Sequence, residues 1–152
     1  MSKKAGQRVL VIGPPASGKM YLSRFFCSRG KNSFDADDAI ADWVDGHGNK
    51  RELTREKWGN PVRFRWVWDK RKLMALLRRH KELYLFGNAY NAYDVMGLFD
   101  RIYYLRATRA LLSKRFESRK KTGRGSARRS SRGIWSTGGL IIQAAKQWHT
   151  DW

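Results

Sequence analysis

Residues 8–20, RVLVIGPPASGKM, place a short apolar run before a glycine-rich turn and a lysine that opens an amphipathic segment. Gly13, Gly18 and Lys19 satisfy the Walker A pattern GxxxxGK(S/T), and Met20 stands where the pattern has a hydroxyl residue. In such a loop the backbone N–H groups point at phosphate oxygens, the following helix adds partial positive charge, and the lysine reaches the terminal phosphates. The segment therefore predicts a buried strand, a phosphate-binding loop and a helix in succession.

Met20 is the one departure from the pattern among the residues that we assign to the nucleotide. These residues are Gly13, Ala16, Ser17, Gly18, Lys19, Met20 and Tyr21. The hydroxyl usual at this place binds Mg²⁺, whereas a thioether is a weak ligand for a hard cation. Three explanations stay open: a natural protein without catalysis, an enzyme that holds Mg²⁺ through water and carboxylates alone, or a deliberate substitution. ATP binding is therefore a firmer expectation than phosphoryl transfer.

Length and composition predict one domain over residues 1–152, with hydrophobic residues making up 41% of the chain. No apolar run approaches the roughly 20 residues of a membrane span, and the N-terminus lacks an apolar signal core. We therefore expect a cytoplasmic protein without a membrane partner. A single cysteine, Cys27, excludes an internal disulfide and a multi-cysteine zinc site, and its apolar neighbours predict that it is buried.

The formal net charge of +19 is concentrated in two stretches of the chain. Residues 50–82 hold twelve Lys or Arg against four acids, and residues 114–133 hold nine against one. Clustered cations indicate phosphate-rich partners, which leaves both nucleotides and nucleic acids open. General solubility, or adaptation to a charged cellular interior, is the alternative explanation.

Apolar runs and helical periodicities alternate along the chain. We predict a helix over 19–29 with Leu22, Phe25 and Phe26 on its buried side, and a second helix through Ile40, Trp43 and Val44. The strand-like segments are 8–12, a short run from 33, 63–68, 83–86 and 101–105, and further helices follow Asp69 and Thr108. Residues 137–152 are predicted as a helix, and 120–133, without large apolar residues, as a mobile basic lid. The alternation predicts an α/β fold of three layers with about four parallel strands and no fifth strand near the C-terminus.

Four features in this order resemble the small P-loop kinases of the nucleoside monophosphate, shikimate and gluconate kinase group. They are GPPASGK at 13–19, a DxD at Asp35 and Asp37, an RxxxR at Arg115 and Arg119, and the basic lid. The stretch FGNAYNAYDVMGLFDRIYYLRA is similar to uncharacterised bacterial "AAA family ATPase" or shikimate-kinase-like proteins. The resemblance spans residues 8 to about 119 and implies a P-loop NTPase fold.

The resemblance also implies roles for particular residues, with ATP and Mg²⁺ as cofactors. Lys19, Asp37, Arg115 and Arg119 would be catalytic, Arg115 would also bind the nucleotide, and Asp35 would hold Mg²⁺ through water. Asp37, Asn91, Arg124 and Arg128 would serve the substrate and the lid. Acids in the first turn of a helix also complement its dipole, so a structural role for Asp37 stays open. An exposed, solvated helix face is the alternative for the two helical arginines.

Two functions therefore remain open at the level of sequence. The first is an ATP-dependent kinase acting on a small hydroxyl or phosphate acceptor, a nucleoside or nucleotide above all. The second is a nucleic-acid-binding protein with impaired catalysis, or a polynucleotide kinase, that uses the basic stretches 50–82 and 114–133. In that second interpretation Phe64, Trp66 and Trp68, interleaved with arginines, would stack on bases.

Overall fold

The structure is a computed structural model, and it describes residues 6–52, 64–121 and 141–144. Its strands are β1 (Arg8–Ile12), β2 (Ser33–Asp35), β3 (Ala41–Asp45), β4 (Phe64–Trp68), β5 (Leu83–Phe86), β6 (Arg101–Arg106) and β7 (Ile141–Ala144). Its α-helices are α1 (Lys19–Ser28), α2 (Ala36–Ala39), α3 (Lys70–Arg79) and α4 (Arg109–Lys121), and a 3₁₀ helix spans Tyr93–Leu98.

Five strands form one sheet in the order β2-β5-β1-β6-β7. The first four are parallel, and β7 pairs antiparallel with β6 at the edge. The chain leaves β1 for β2 on one side and later reaches β6 on the other side, so connections diverge at the middle of the sheet. In open parallel sheets, ligands bind beyond the carboxyl ends of the strands at such a point. The residues that follow β1 occupy this position.

Alternate residues of the strands point to opposite sides of the sheet, and other elements pack on both sides. Val9 and Val11 pack with Leu22 and Phe26 of α1 on one face. Leu10 and Ile12 pack on the other face, in a larger cluster that includes Leu73 and Leu77 of α3 and Val95 of the 3₁₀ helix. The α/β class and the four parallel strands predicted from the sequence are confirmed.

Residues 41–45 form a strand, so the prediction of a helix through Trp43 and Val44 is wrong. The α2 helix ends at Ala39, and β3 pairs antiparallel with β4 in a separate two-stranded sheet that sets Trp43 opposite Trp66. A turn closes β3, because the Asp45 carboxylate accepts hydrogen bonds from the backbone N–H groups of His47 and Asn49. Pairing with a distant strand thus outweighs the local helical spacing of the apolar residues.

The C-terminal prediction is also wrong where the structure describes it, because residues 141–144 form β7 and the fifth strand that we did not expect is present. Two β-branched residues, Ile141 and Ile142, suit a strand that completes the edge of β6. Residues 120 and 121 of the predicted lid belong to α4. The remainder of the lid, 122–133, and the rest of the predicted helix over 137–152 lie outside the described residues.

Two side chains of α1 are more exposed than predicted. Phe25 is exposed and carries the Arg29 guanidinium over its ring, 5.0 Å from the centroid. Cys27 is also exposed, so the prediction that it is buried is wrong. Leu22 and Phe26, four residues apart, share the face of the helix that meets the sheet, and neither Phe25 nor Cys27 lies on it.

Candidate phosphate-binding site

The loop between β1 and α1 requires unusual backbone conformations and close packing. A Cβ at Gly13 would lie 2.6 Å from the carbonyl oxygen of Leu105, which only glycine avoids. Ala16 and Gly18 have positive φ angles of 63° and 108°. A left-handed conformation costs a non-glycine residue such as Ala16 about 1 kcal/mol or more, and such outliers concentrate at functional sites.

The ammonium group of Lys19 folds back over this loop. Its Nζ donates hydrogen bonds to the carbonyl oxygens of Gly13 at 2.7 Å and Pro14 at 2.8 Å. The hydroxyl of Ser17, itself fully buried, lies 3.4 Å from the same nitrogen. The cation is therefore centred on the loop, at the place where a phosphate group would meet it.

The N-terminus of α1 opens onto the loop without a side-chain cap within the described residues. The other three α-helices have one: Asp35 caps α2, Asp69 caps α3, and Thr108 accepts a hydrogen bond in the first turn of α4. The first N–H groups of a helix have no acceptor within that helix, and they carry its partial positive charge. At α1 these groups and Lys19 together make one electropositive end.

Arg115 connects α4 to the loop. Its Nη1 donates hydrogen bonds to the carbonyl oxygens of Ala16 at 2.9 Å and Ser17 at 3.1 Å. A charged donor shared by two carbonyls stabilises the strained conformation of Ala16 from a helix about 100 residues away in the sequence. The structure thus brings Arg115 to the predicted site and gives it a supporting contact that the motif does not indicate.

Asp35 lies at the carboxyl end of β2, close enough to Lys19 for the two charges to interact. Burial raises the pKa of this carboxyl group above its usual value, and the charges of Asp37 and Asp38 raise it further, although the hydrogen bond from the Asp37 backbone N–H and the charge of Lys19 lower it. This hydrogen bond, from the Asp37 N–H to Asp35 Oδ1 at 3.1 Å, is also the cap of α2. Asp35 is thus a partly buried carboxylate whose charge interacts with that of the loop lysine.

Asp37 is held by an indole from the two-stranded sheet. Trp66 Nε1 donates a hydrogen bond to Asp37 Oδ1 at 3.0 Å, and the Trp66 ring packs against Trp43 with centroids 5.1 Å apart. This partner of Asp37 was missed by the sequence analysis, where Trp66 figures only as a base-stacking candidate. The available signal was the spacing of Trp66 and Trp68, two residues apart on one strand, although the local sequence does not indicate that Trp66 contacts Asp37.

Asn91 is engaged with the backbone of Trp68. Its Oδ1 accepts from the Trp68 N–H at 2.8 Å, and its Nδ2 donates to the Trp68 carbonyl oxygen at 2.9 Å. Both ends of the amide thus join the segment after β5 to β4. Trp68 is itself buried in the core, with 1% of its surface exposed, so it does not offer the base-stacking surface considered as an alternative.

The remaining predicted residues are placed as follows. Met20 and Tyr21 lie in the first turn of α1 with 46% and 50% of their surface exposed. Arg119 lies in α4, one turn after Arg115, and Arg124 and Arg128 lie outside the described residues. No group of three His, Cys, Asp or Glu side chains suited to a metal ion occurs in the described parts of the chain.

Comparison of the chain with models of known protein families, with curated proteins and with solved structures finds no match. Within the described ranges, no helix is long and apolar enough to cross a membrane. Function is therefore inferred from the Walker A motif and from the geometry around Gly13–Lys19.

Proposed function

We propose that this chain is a P-loop protein of the small-kinase type that binds ATP at Gly13–Lys19. The observation that carries the proposal is the position of Lys19 Nζ, 2.7 Å and 2.8 Å from two carbonyl oxygens of the loop. A polyanion that enters this loop meets the ammonium and the uncapped N-terminus of α1 together. This combination favours a phosphate group, because the ammonium and the N-terminus of α1 lie at the same loop.

The sheet supports the same proposal. The loop follows the central strand β1 at the point where connections diverge, with β5 on one side and β6 on the other. Asp35 ends β2 and Asp37 follows it at the same edge of the sheet, two strands away from β1. An acceptor molecule beside these carboxylates would face the bound nucleotide across the edge, as phosphoryl transfer requires.

The residues suit the roles that we propose for them. Asp35 offers the carboxylate oxygen that Mg²⁺ prefers, and its position beside Lys19 fits a cation held partly through water. Bound together with ATP, Mg²⁺ neutralises charge on the phosphates. Asp37, oriented by the indole N–H of Trp66, accepts a hydrogen bond from the hydroxyl of a nucleoside or nucleotide acceptor. Arg115 keeps the loop in its binding conformation.

Nucleotide binding without efficient transfer is the second candidate function, and Met20 favours it. Its thioether replaces the hydroxyl that would bind the metal ion, and Met20 is exposed at the start of α1. Met20→Ser separates the two candidates. If the hydroxyl alone is missing, the serine variant transfers γ-phosphate to nucleosides or nucleotides faster than the parent chain does.

Calorimetric titration with ATP, with and without Mg²⁺, tests the binding proposal. Lys19→Ala is expected to weaken binding strongly, whereas Lys70→Ala, which removes an exposed lysine at the start of α3, is expected to bind like the parent. Equal affinities of Lys19→Ala and the parent chain would refute a phosphate site in the loop. Thermal unfolding of each variant shows whether a loss of affinity reflects a loss of folding.

A further inference from the structure

Tyr90 is an exposed aromatic side chain on a firmly held segment. It follows β5, and 66% of its surface is exposed. Its backbone N–H donates a hydrogen bond to the Trp66 carbonyl oxygen at 2.8 Å, and the next residue, Asn91, is bonded twice to the backbone of Trp68. The segment is therefore joined to β4 by three hydrogen bonds, and the ring is presented to solvent in a defined orientation.

An arginine stacks on this ring. The Arg65 guanidinium lies over the Tyr90 ring at 4.5 Å from the centroid, and Arg65 is exposed. No carboxylate in the described parts of the chain forms an ion pair with Arg65. Its neighbours in the same region, Lys50 and Lys72, are instead paired with Asp42, and Arg51 is paired with Asp45. The Arg65 charge is thus able to attract an external anion, and its guanidinium covers one face of the Tyr90 ring.

We propose that Arg65 and Tyr90 form a stacking platform for a base of single-stranded nucleic acid. A planar guanidinium on an exposed phenol provides a flat surface with a positive charge at its border, which suits a base and its adjoining phosphate. The net charge of +19 attracts a polyanion over longer distances. A protein partner would need a continuous apolar patch, whereas this surface combines one ring with one cation.

The platform differs from the aromatic cluster that the sequence suggested. Trp68 is buried, and Trp66 is engaged with Trp43 through its ring and with Asp37 through its indole N–H. The proposal does not depend on nucleotide binding at the Walker A loop. Lys19→Ala is expected to leave oligonucleotide affinity unchanged, so failure of the nucleotide site and failure of the platform give different results.

Fluorescence anisotropy with a labelled twelve-residue deoxythymidine oligonucleotide tests the platform, with an abasic strand of the same length as the second probe. Tyr90→Leu is expected to weaken binding of the thymidine strand about 5- to 150-fold, the factor for about 1–3 kcal/mol per stacked base. Replacing the bases by abasic sites is expected to weaken the parent comparably. On the abasic strand, Tyr90→Leu and the parent are expected to bind equally, because no base is left to stack.

Conservative variants and a control complete the experiment. Tyr90→Phe retains the ring and is expected to bind like the parent, and Arg65→Lys, which keeps the charge but not the planar group, is expected to bind more weakly. Tyr104→Leu removes another exposed tyrosine, on β6, and is expected to bind like the parent. The platform is refuted if Tyr90→Leu binds the thymidine strand as well as the parent does, or if Tyr104→Leu weakens binding to the same extent. Equal binding of abasic and thymidine strands by the parent would also refute it.

Discussion

Replacing Arg115 by methionine tests whether α4 maintains the phosphate-binding loop. The guanidinium donates to the carbonyl oxygens of Ala16 and Ser17 at 2.9 Å and 3.1 Å, in a partly buried position. Hydrogen bonds to a charged group contribute about 1.5–3 kcal/mol each, but both bonds here come from one nitrogen, so we expect a loss of about 2–3 kcal/mol. For a domain of this size that corresponds to a decrease of roughly 5–10 °C in melting temperature.

Thermal unfolding followed by circular dichroism measures this loss, and calorimetric titration with ATP measures its effect on the loop. Arg115→Lys keeps the charge but replaces the planar guanidinium, whose Nη1 reaches both carbonyl oxygens, by an ammonium, so it is expected to fall between the parent and the methionine variant. Lys114→Met removes the adjacent, exposed charge of the same helix and is expected to change stability by less than about 0.5 kcal/mol. If Arg115→Met melts no lower than Lys114→Met, the loop is stable without α4 and our account of Arg115 is wrong.

Two further substitutions probe the strain and the buried charge of the site. Asp35→Asn keeps the cap of α2 and removes a carboxylate whose pKa is raised by burial, so we expect a higher melting temperature than the parent at pH 7. Because the raised pKa means that the folded state binds the proton more tightly, the gain in melting temperature should vanish as the pH falls to the ordinary carboxyl pKa of 3.8 and below. At pH 7 the same variant is expected to bind Mg-ATP more weakly. Gly13→Ala places a Cβ 2.6 Å from the Leu105 carbonyl oxygen and is expected to cost about 1–3 kcal/mol in chemical denaturation, whereas Gly46→Ala, with open space around it, is the control. These expectations would be contradicted if Asp35→Asn and the parent had the same melting temperature at every pH, or if the two alanine variants were equally stable.

Sequence predicted the elements that are specified locally. The β1 strand, the loop and α1 follow from a contiguous pattern, and the Asp69 cap of α3 follows from a side chain that accepts from Arg71 and Lys72 within three residues. The β3 strand was missed because its partner, β4, lies about 20 residues later and apolar spacing alone fits a helix. The edge strand β7 was missed for the same reason, since its stability comes from pairing with β6.

The same distinction between local and distant contacts applies to the site. The residue types around the loop were predictable because phosphate binding needs glycines and a lysine at fixed spacing. The contacts of Arg115, Asp37 and Asn91 were not, because each partner is contributed by another element of the fold. Asn91 illustrates the difference: the resemblance implied a substrate contact, and the structure adds that its amide joins two backbone segments.

The β4 strand relates the two proposals to each other. Its successive residues Arg65 and Trp66 point to opposite faces, so Arg65 reaches Tyr90 while Trp66 reaches Asp37. A nucleic acid strand stacked on Tyr90 and an acceptor hydroxyl at Asp37 would therefore lie on opposite sides of β4. We therefore propose two separate sites and expect each to bind its ligand independently of the other. The net charge of +19 exceeds what one triphosphate requires, and binding of a nucleic acid strand at the proposed platform would account for the excess.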